Sequence, residues 1–143
     1  MKIVINENHG GFGLSHEGIL RYLELVGKKV WVDDDPAWIW SKRYSLVPPE
    51  ERMEEKNSEK YYEMTKEERQ VYNEQYNKQN FSYYDIARND PALVQVVEEM
   101  GSEANGNHAT LKVVEIPDDV NGNWYIHDYD GMEWVAERHR TWS

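Results

Sequence analysis

The chain has 143 residues, a formal net charge of −11, six Trp, ten Tyr and no Cys. That length suits one domain with a real core, built in good part from half-polar aromatic side chains. The charge argues against a general binder of DNA, RNA or anionic lipid, and the lack of Cys excludes disulfides and thiolate metal sites.

No stretch is long and apolar enough to span a membrane, and the opening "MKIVINENHG" lacks the apolar region of a signal peptide. The expectation is a soluble cytoplasmic protein. A small anion in a local basic pocket stays compatible with the charge, because near neighbours set a pocket's field.

The β-branched run "KIVIN" (2–6) predicts a buried strand. Ser15 reads as an N-cap, and His16 to Val26 places Ile19, Leu20, Leu23 and Val26 on one helical face before a Gly27 stop. "KKVWV" (28–32) and, less regularly, "AWIWSKRYSLV" (37–47) read as strands around the turn "DDDP" (33–36).

From Pro48 to Asn80 the chain is rich in charge and poor in aliphatic residues, with helix-start proline and a Thr65 to Glu68 capping box. This predicts a charged helical insertion over 48–80, with Tyr61, Met64, Val71, Tyr72 and Tyr76 as a thin apolar stripe. It is either a solvated arm or an oligomer contact or lid, since exposed Tyr favours interfaces.

"FSYYDI" (81–86) resumes strand character. Asp90–Pro91 then opens a helix carrying Leu93, Val96, Val97 and Met100 at i, i+3, i+4, i+7, stopped by Gly101. "ATLKVVEIP" (109–117) is the strongest strand. "NWYIHDYDG" (123–131) alternates Trp124, Ile126 and Asp128 against Tyr125, His127 and Tyr129, and a meander of these two strands is expected. The fold class is α+β: one domain over 1–143, a mostly antiparallel sheet packed by two short helices, and the charged insertion.

Chemistry-bearing motifs are few. Gly10, Gly11 and Gly13 precede a helix start, where free amides favour an anion, but neither the dinucleotide fingerprint nor the Walker pattern is met. A tight turn beside Phe12 explains the glycines equally. "HAT" (108–110) and "HRT" (139–141) echo the two-histidine phosphoesterases, in which the histidines serve as acid and base. Too little chain separates and follows them for two half-sites. No metal-ligand spacing and no catalytic residue stand out, and no cofactor is implied.

What remains is an aromatic, basic and amide constellation. "NFSYYDIARNDP" (80–91) carries Phe81, Tyr83, Tyr84, Arg88 and Asn89, and "ERHRTW" (137–142) adds Arg138, Arg140 and Trp142. Aromatic faces stack on bases and Arg forks grip phosphates. Phe81 is equally a core residue, and Arg88 equally an ion-pair partner of Asp85 or Asp90.

"MKIVIN…GGFGLS", "DIARNDPALVQVVEEMG", "LKVVEIPDD" and "YDGMEWVAERHRTWS" together resemble a phage-encoded family, the type 1 anti-Thoeris sponges. The resemblance covers both ends and the middle but not the insertion at 48–80. It implies a non-enzymatic protein of the host cytoplasm that captures glycocyclic ADP-ribose, with cyclic oligonucleotides at a separate site in some members. It also implies homo-oligomers with pockets at subunit contacts, and no nucleic-acid or membrane partner. On this chain it assigns Phe81 as base stacker, Arg88 and Asn89 as phosphate and ribose contacts, and Arg138 and Arg140 as closing residues. Phe12 and the glycine loop would frame the pocket. The alternative class is an acidic inhibitor or nucleic-acid mimic acting on a host defence enzyme.

Overall fold

The computed structural model describes residues 1–33, 42–54, 56–120 and 122–138. In chain order the elements are β1 (Lys2–Asn6), α1 (His16–Leu25), β2 (Trp31–Asp33), β3 (Arg43–Ser45), α2 (Ser58–Glu63), α3 (Lys66–Gln79), α4 (Pro91–Met100), β4 (Leu111–Glu115), β5 (Trp124–Tyr129) and β6 (Met132–Glu137). The fold is α+β. Its antiparallel pairing comes as three two-stranded ladders, β1–β4, β2–β3 and β5–β6. The chain forms two compact units, Met1–Val26 with Tyr83–Ser143, and Gly27–Ser82.

The first unit is built on β1. Ile3, Val4, Ile5 and Asn6 are all buried, which is why "KIVIN" reads as a continuous apolar run instead of an alternation. Ser15 caps α1 by accepting the Gly18 N–H at 3.0 Å, and Asp90 caps α4 by accepting the Ala92 N–H at 2.8 Å. The two helices pack on one another and bury Ile19, Tyr22 and Leu23 from α1 with Leu93, Val94, Val96 and Val97 from α4. Each fully buried Leu or Val contributes about 1.5–3 kcal/mol, so these faces carry much of the unit's stability. The Tyr22 hydroxyl donates to Asp90 at 2.8 Å, and burial together with that carboxylate pushes its phenol up to about 12.

The edge of β1 away from β4 is closed without a strand. The Val4 N–H donates to the Arg88 carbonyl at 2.8 Å, the Arg88 guanidinium donates back to the Val4 carbonyl at 3.3 Å, and the Asn6 N–H donates to Glu133 at 2.8 Å. An open edge carries unpaired donors and acceptors, and a residue pair here satisfies them.

Two expectations are corrected in this unit. The meander of 109–117 with 123–131 does not form, because β4 pairs with β1 while β5 pairs with β6. Asp130 (φ 51°) and Gly131 (φ 88°) make the tight turn, and the chain runs straight back through "MEWVAE" as a strand. The segment 81–86 is not a strand either. Tyr83–Asp85 form a short 3₁₀ turn, closed by the Ile86 N–H donating to the Tyr83 carbonyl at 3.2 Å.

In the second unit β2 starts at Trp31 and pairs with β3, while residues 37–41 of the expected strand lie outside those described. Asp33 of the acidic turn pairs with Arg52 at 3.3 Å. The insertion folds as α2 and α3, with the Thr65–Glu68 capping box formed in both directions. Tyr61, Tyr72 and Tyr76 of the expected stripe make a ladder of rings at 5.8 and 6.4 Å, whereas its Val71 is 54% exposed. Most of the remaining surface of α3 is polar, so packing along this stripe orders it against its neighbours.

Candidate functional site

The opening glycine loop is a packing device. A Cβ on Gly10 would overlap the His108 carbonyl, and one on Gly131 would overlap the His9 carbonyl and the Gly11 amide. The backbone of the loop therefore lies directly against the 106–108 segment and the hairpin turn, an approach only glycine permits. Asn6 fixes this junction from within: its amide donates to the Asn8 and Gly131 carbonyls, and its Oδ1 accepts the Thr110 N–H at 2.9 Å.

Phe12 and Arg88 are brought together, but inside the protein. The Phe12 ring is buried, meets Tyr83 edge-on at 5.9 Å, and lies 3.6 Å beneath the Arg88 guanidinium carbon. Arg88 grips Glu133 with both terminal nitrogens, at 2.6 and 2.8 Å, and the Glu133 side chain is only 6% exposed. The sequence offered Asp85 or Asp90 as partners of Arg88, whereas the structure uses Glu133. This fork is occupied by a carboxylate of its own chain and by the edge of β1.

The other assigned residues are spread out. Asn89 is exposed, with its amide 3.9 Å from the Met1 sulfur. Phe81 belongs to the second unit, where its N–H donates to the Tyr44 carbonyl at 2.8 Å. Arg138 is exposed at the end of β6 and donates to the Trp124 carbonyl at 3.4 Å. Arg140 lies outside the described residues, as do His139 and Thr141 of the second His-x-Thr motif. His108 of the first packs against Gly10.

Arg138 points to the arrangement that presents itself to solvent. The β5–β6 register sets Tyr125 opposite Ala136, His127 opposite Trp134, and Tyr129 opposite Met132, so all six share one face. His127 stacks on Trp134 with centroids 4.4 Å apart and planes inclined by 29°, and Tyr125 meets His127 edge-on at 6.3 Å. The Arg138 guanidinium lies 6.0 Å from the Tyr125 ring. This face is open: Tyr129 is 68% exposed and Trp134 44%. The opposite face buries Glu133 and half-buries Ile126 and Val135.

The alternation of Tyr125, His127 and Tyr129 was visible in the sequence. The Asp130–Gly131 turn and the strand beyond it bring Trp134 onto the same face. Among the described residues, no group of three or more His, Asp or Glu is arranged to hold a metal ion, and no helix is long and apolar enough to cross a membrane. Comparison of the chain with protein-family models, with curated proteins and with solved structures finds no match.

Proposed function

We propose that this chain is a binding protein that captures a nucleotide by stacking its base on the outer face of the β5–β6 hairpin. The carrying observation is the exposed run of Tyr125, His127 and Trp134 with Arg138 at its end. An open aromatic platform accepts any base through its π-face, at about 1–3 kcal/mol per stacked base, and an adjacent guanidinium suits a phosphate. Arg88 and Phe12 then serve as framework instead of ligand contacts.

The anti-Thoeris resemblance supplies the specific form of this proposal. The ligand is a cyclic signalling nucleotide, glycocyclic ADP-ribose, held without cleavage by homo-oligomers in the host cytoplasm. The nucleic-acid mimic fits less well. On α4, Glu98 is paired with Lys2 at 3.0 Å and Glu99 with Arg21 at 3.0 Å, which breaks up the continuous acidic face that a mimic needs.

Calorimetric titration with glycocyclic ADP-ribose isomers and cyclic oligonucleotides tests the proposal. Binding is expected, and Trp134→Ala should weaken it about tenfold or more, the loss of one stacked base. No binding by any of these nucleotides, or unchanged affinity in Trp134→Ala, would reject it.

A further inference from the structure

The second unit carries a separate feature that nucleotide capture does not use. A groove of about 540 Å³ runs along α3, lined by Met53, Lys56, Met64, Glu67, Val71 and Tyr72. Two hydrogen bonds tie lining residues Met53 and Lys56 to α3. The Met53 N–H donates to the buried Gln79 side chain at 2.9 Å, and the Lys56 N–H donates to the Tyr72 hydroxyl at 3.1 Å. The groove therefore keeps its shape through tertiary hydrogen bonds.

Its chemistry is consistent along its length. The floor is Met and Val with one Tyr face, and Val71 is 54% exposed. Methionine floors adapt to varied apolar side chains. The rim is acidic: among the described residues, Glu54, Glu67 and Glu68 line it against one cation, Lys56. Glu68 is used by the capping box, whereas Glu54 and Glu67 make no salt bridge among the described residues.

We infer that this groove is a docking site for an amphipathic basic helix of another protein, with apolar side chains on the Met53–Met64–Val71 floor and Lys or Arg against the glutamates. Along α3 the lining runs from Glu67 to Gln75, a span of about 12 Å, which matches two turns of a facing helix and anchors at i and i+4 or i+7. Charge complementarity selects the occupant. A basic segment neutralises the rim, whereas a second copy of this chain docked two-fold would set Glu67 and Glu68 against themselves. The site is independent of the hairpin face, so either can stand without the other.

The test uses the full chain labelled with ¹³C at its methionine methyls. It is titrated with an amphipathic Leu/Lys helical peptide of about 16 residues and with the same peptide carrying Glu for Lys. The basic peptide is expected to shift the Met53 and Met64 methyls selectively, with weakening at high salt, and the acidic peptide to leave them in place. Val71→Asp, an exposed substitution whose fold is checked by circular dichroism, should weaken the basic peptide at least tenfold. Glu67→Lys should weaken it with the floor untouched. Unmoved Met53 and Met64 methyls at about 1 mM peptide, where even weak complexes form, would overturn the assignment. So would equal shifts with the acidic peptide, or a concentration-dependent dimer that occupies the groove in its place.

Discussion

Replacing Arg88 by Met keeps most of the aliphatic stem over Phe12 but removes the guanidinium from Glu133. The Glu133 carboxylate is then left 6% exposed, with the Asn6 N–H as its remaining described partner, and the Val4 carbonyl loses its donor. Breaking a buried pair by removing one partner costs about 3–5 kcal/mol, because an uncompensated charge stays behind. Loss of stacking is small, since a thioether also packs well on an aromatic ring. For a chain of this size that corresponds to a fall in Tm of roughly 10–15 °C.

The second arm of the experiment is Arg88→Met combined with Glu133→Leu. Removing both charges should recover part of the loss, giving a coupling of about 2 kcal/mol or more by chemical denaturation. Recovery is incomplete because the Asn6 N–H and the Val4 carbonyl still lack their partners, at about 1–3 kcal/mol for an unsatisfied buried group. A single variant within about 1 kcal/mol of wild type, or strictly additive effects, would refute the role given to this pair in closing the β1 edge.

Three further outcomes are expected. Gly10→Ala drives a methyl into the His108 carbonyl, so it should lower Tm by many degrees or abolish folding, whereas alanine at Gly122 meets no neighbouring atom and costs only the strain of its φ of 79°. Tyr22 has a folded pKa raised to about 12 against an ordinary value near 10. Its contribution to stability is therefore complete below pH 10 and is lost as pH rises toward 12, and denaturation midpoints should sag across that window in wild type but less in Tyr22→Phe. Asp118 and Glu99 shift the other way, held low by the N-terminal ammonium and by Arg21. Both contributions are present above the ordinary carboxylate range and fade as pH falls through it, so 0.5 M salt should flatten the acid limb of the stability profile.

Local order was legible where caps and periodicity were strong, and misread at 81–86, where Tyr83–Asp85 form a 3₁₀ turn. "KIVIN" announced β1, Ser15 and Asp90 announced their helices, and Thr65 with Glu68 announced α3, because caps and periodicity act over three or four residues. The pairing of strands was not legible. β1 finds its partner across more than a hundred residues, and nothing in "LKVVE" distinguishes β1 from β5 as its neighbour. The Asp130–Gly131 turn was the missed local cue, since Asp-Gly between alternating strands is the short-range signature of a hairpin.

The site shows the same division. Arg88 read as a phosphate contact or as a partner of Asp85 or Asp90, but its partner Glu133 lies 45 residues on, in a strand where a Glu reads as solvent-facing. Arg138 was also singled out, and the aromatic face beside it followed from register, which a single sequence states only through alternation. Phe81 and Arg88 read as neighbours in the chain yet fold into different units.

The most direct test of nucleotide capture combines binding with recovery. The purified protein is incubated with glycocyclic ADP-ribose, freed of unbound ligand, heat-denatured, and the released nucleotide identified by mass. Capture on the hairpin face predicts an intact nucleotide from wild type and little or none from Trp134→Ala. A cleaved product, or equal recovery from both proteins, would contradict it.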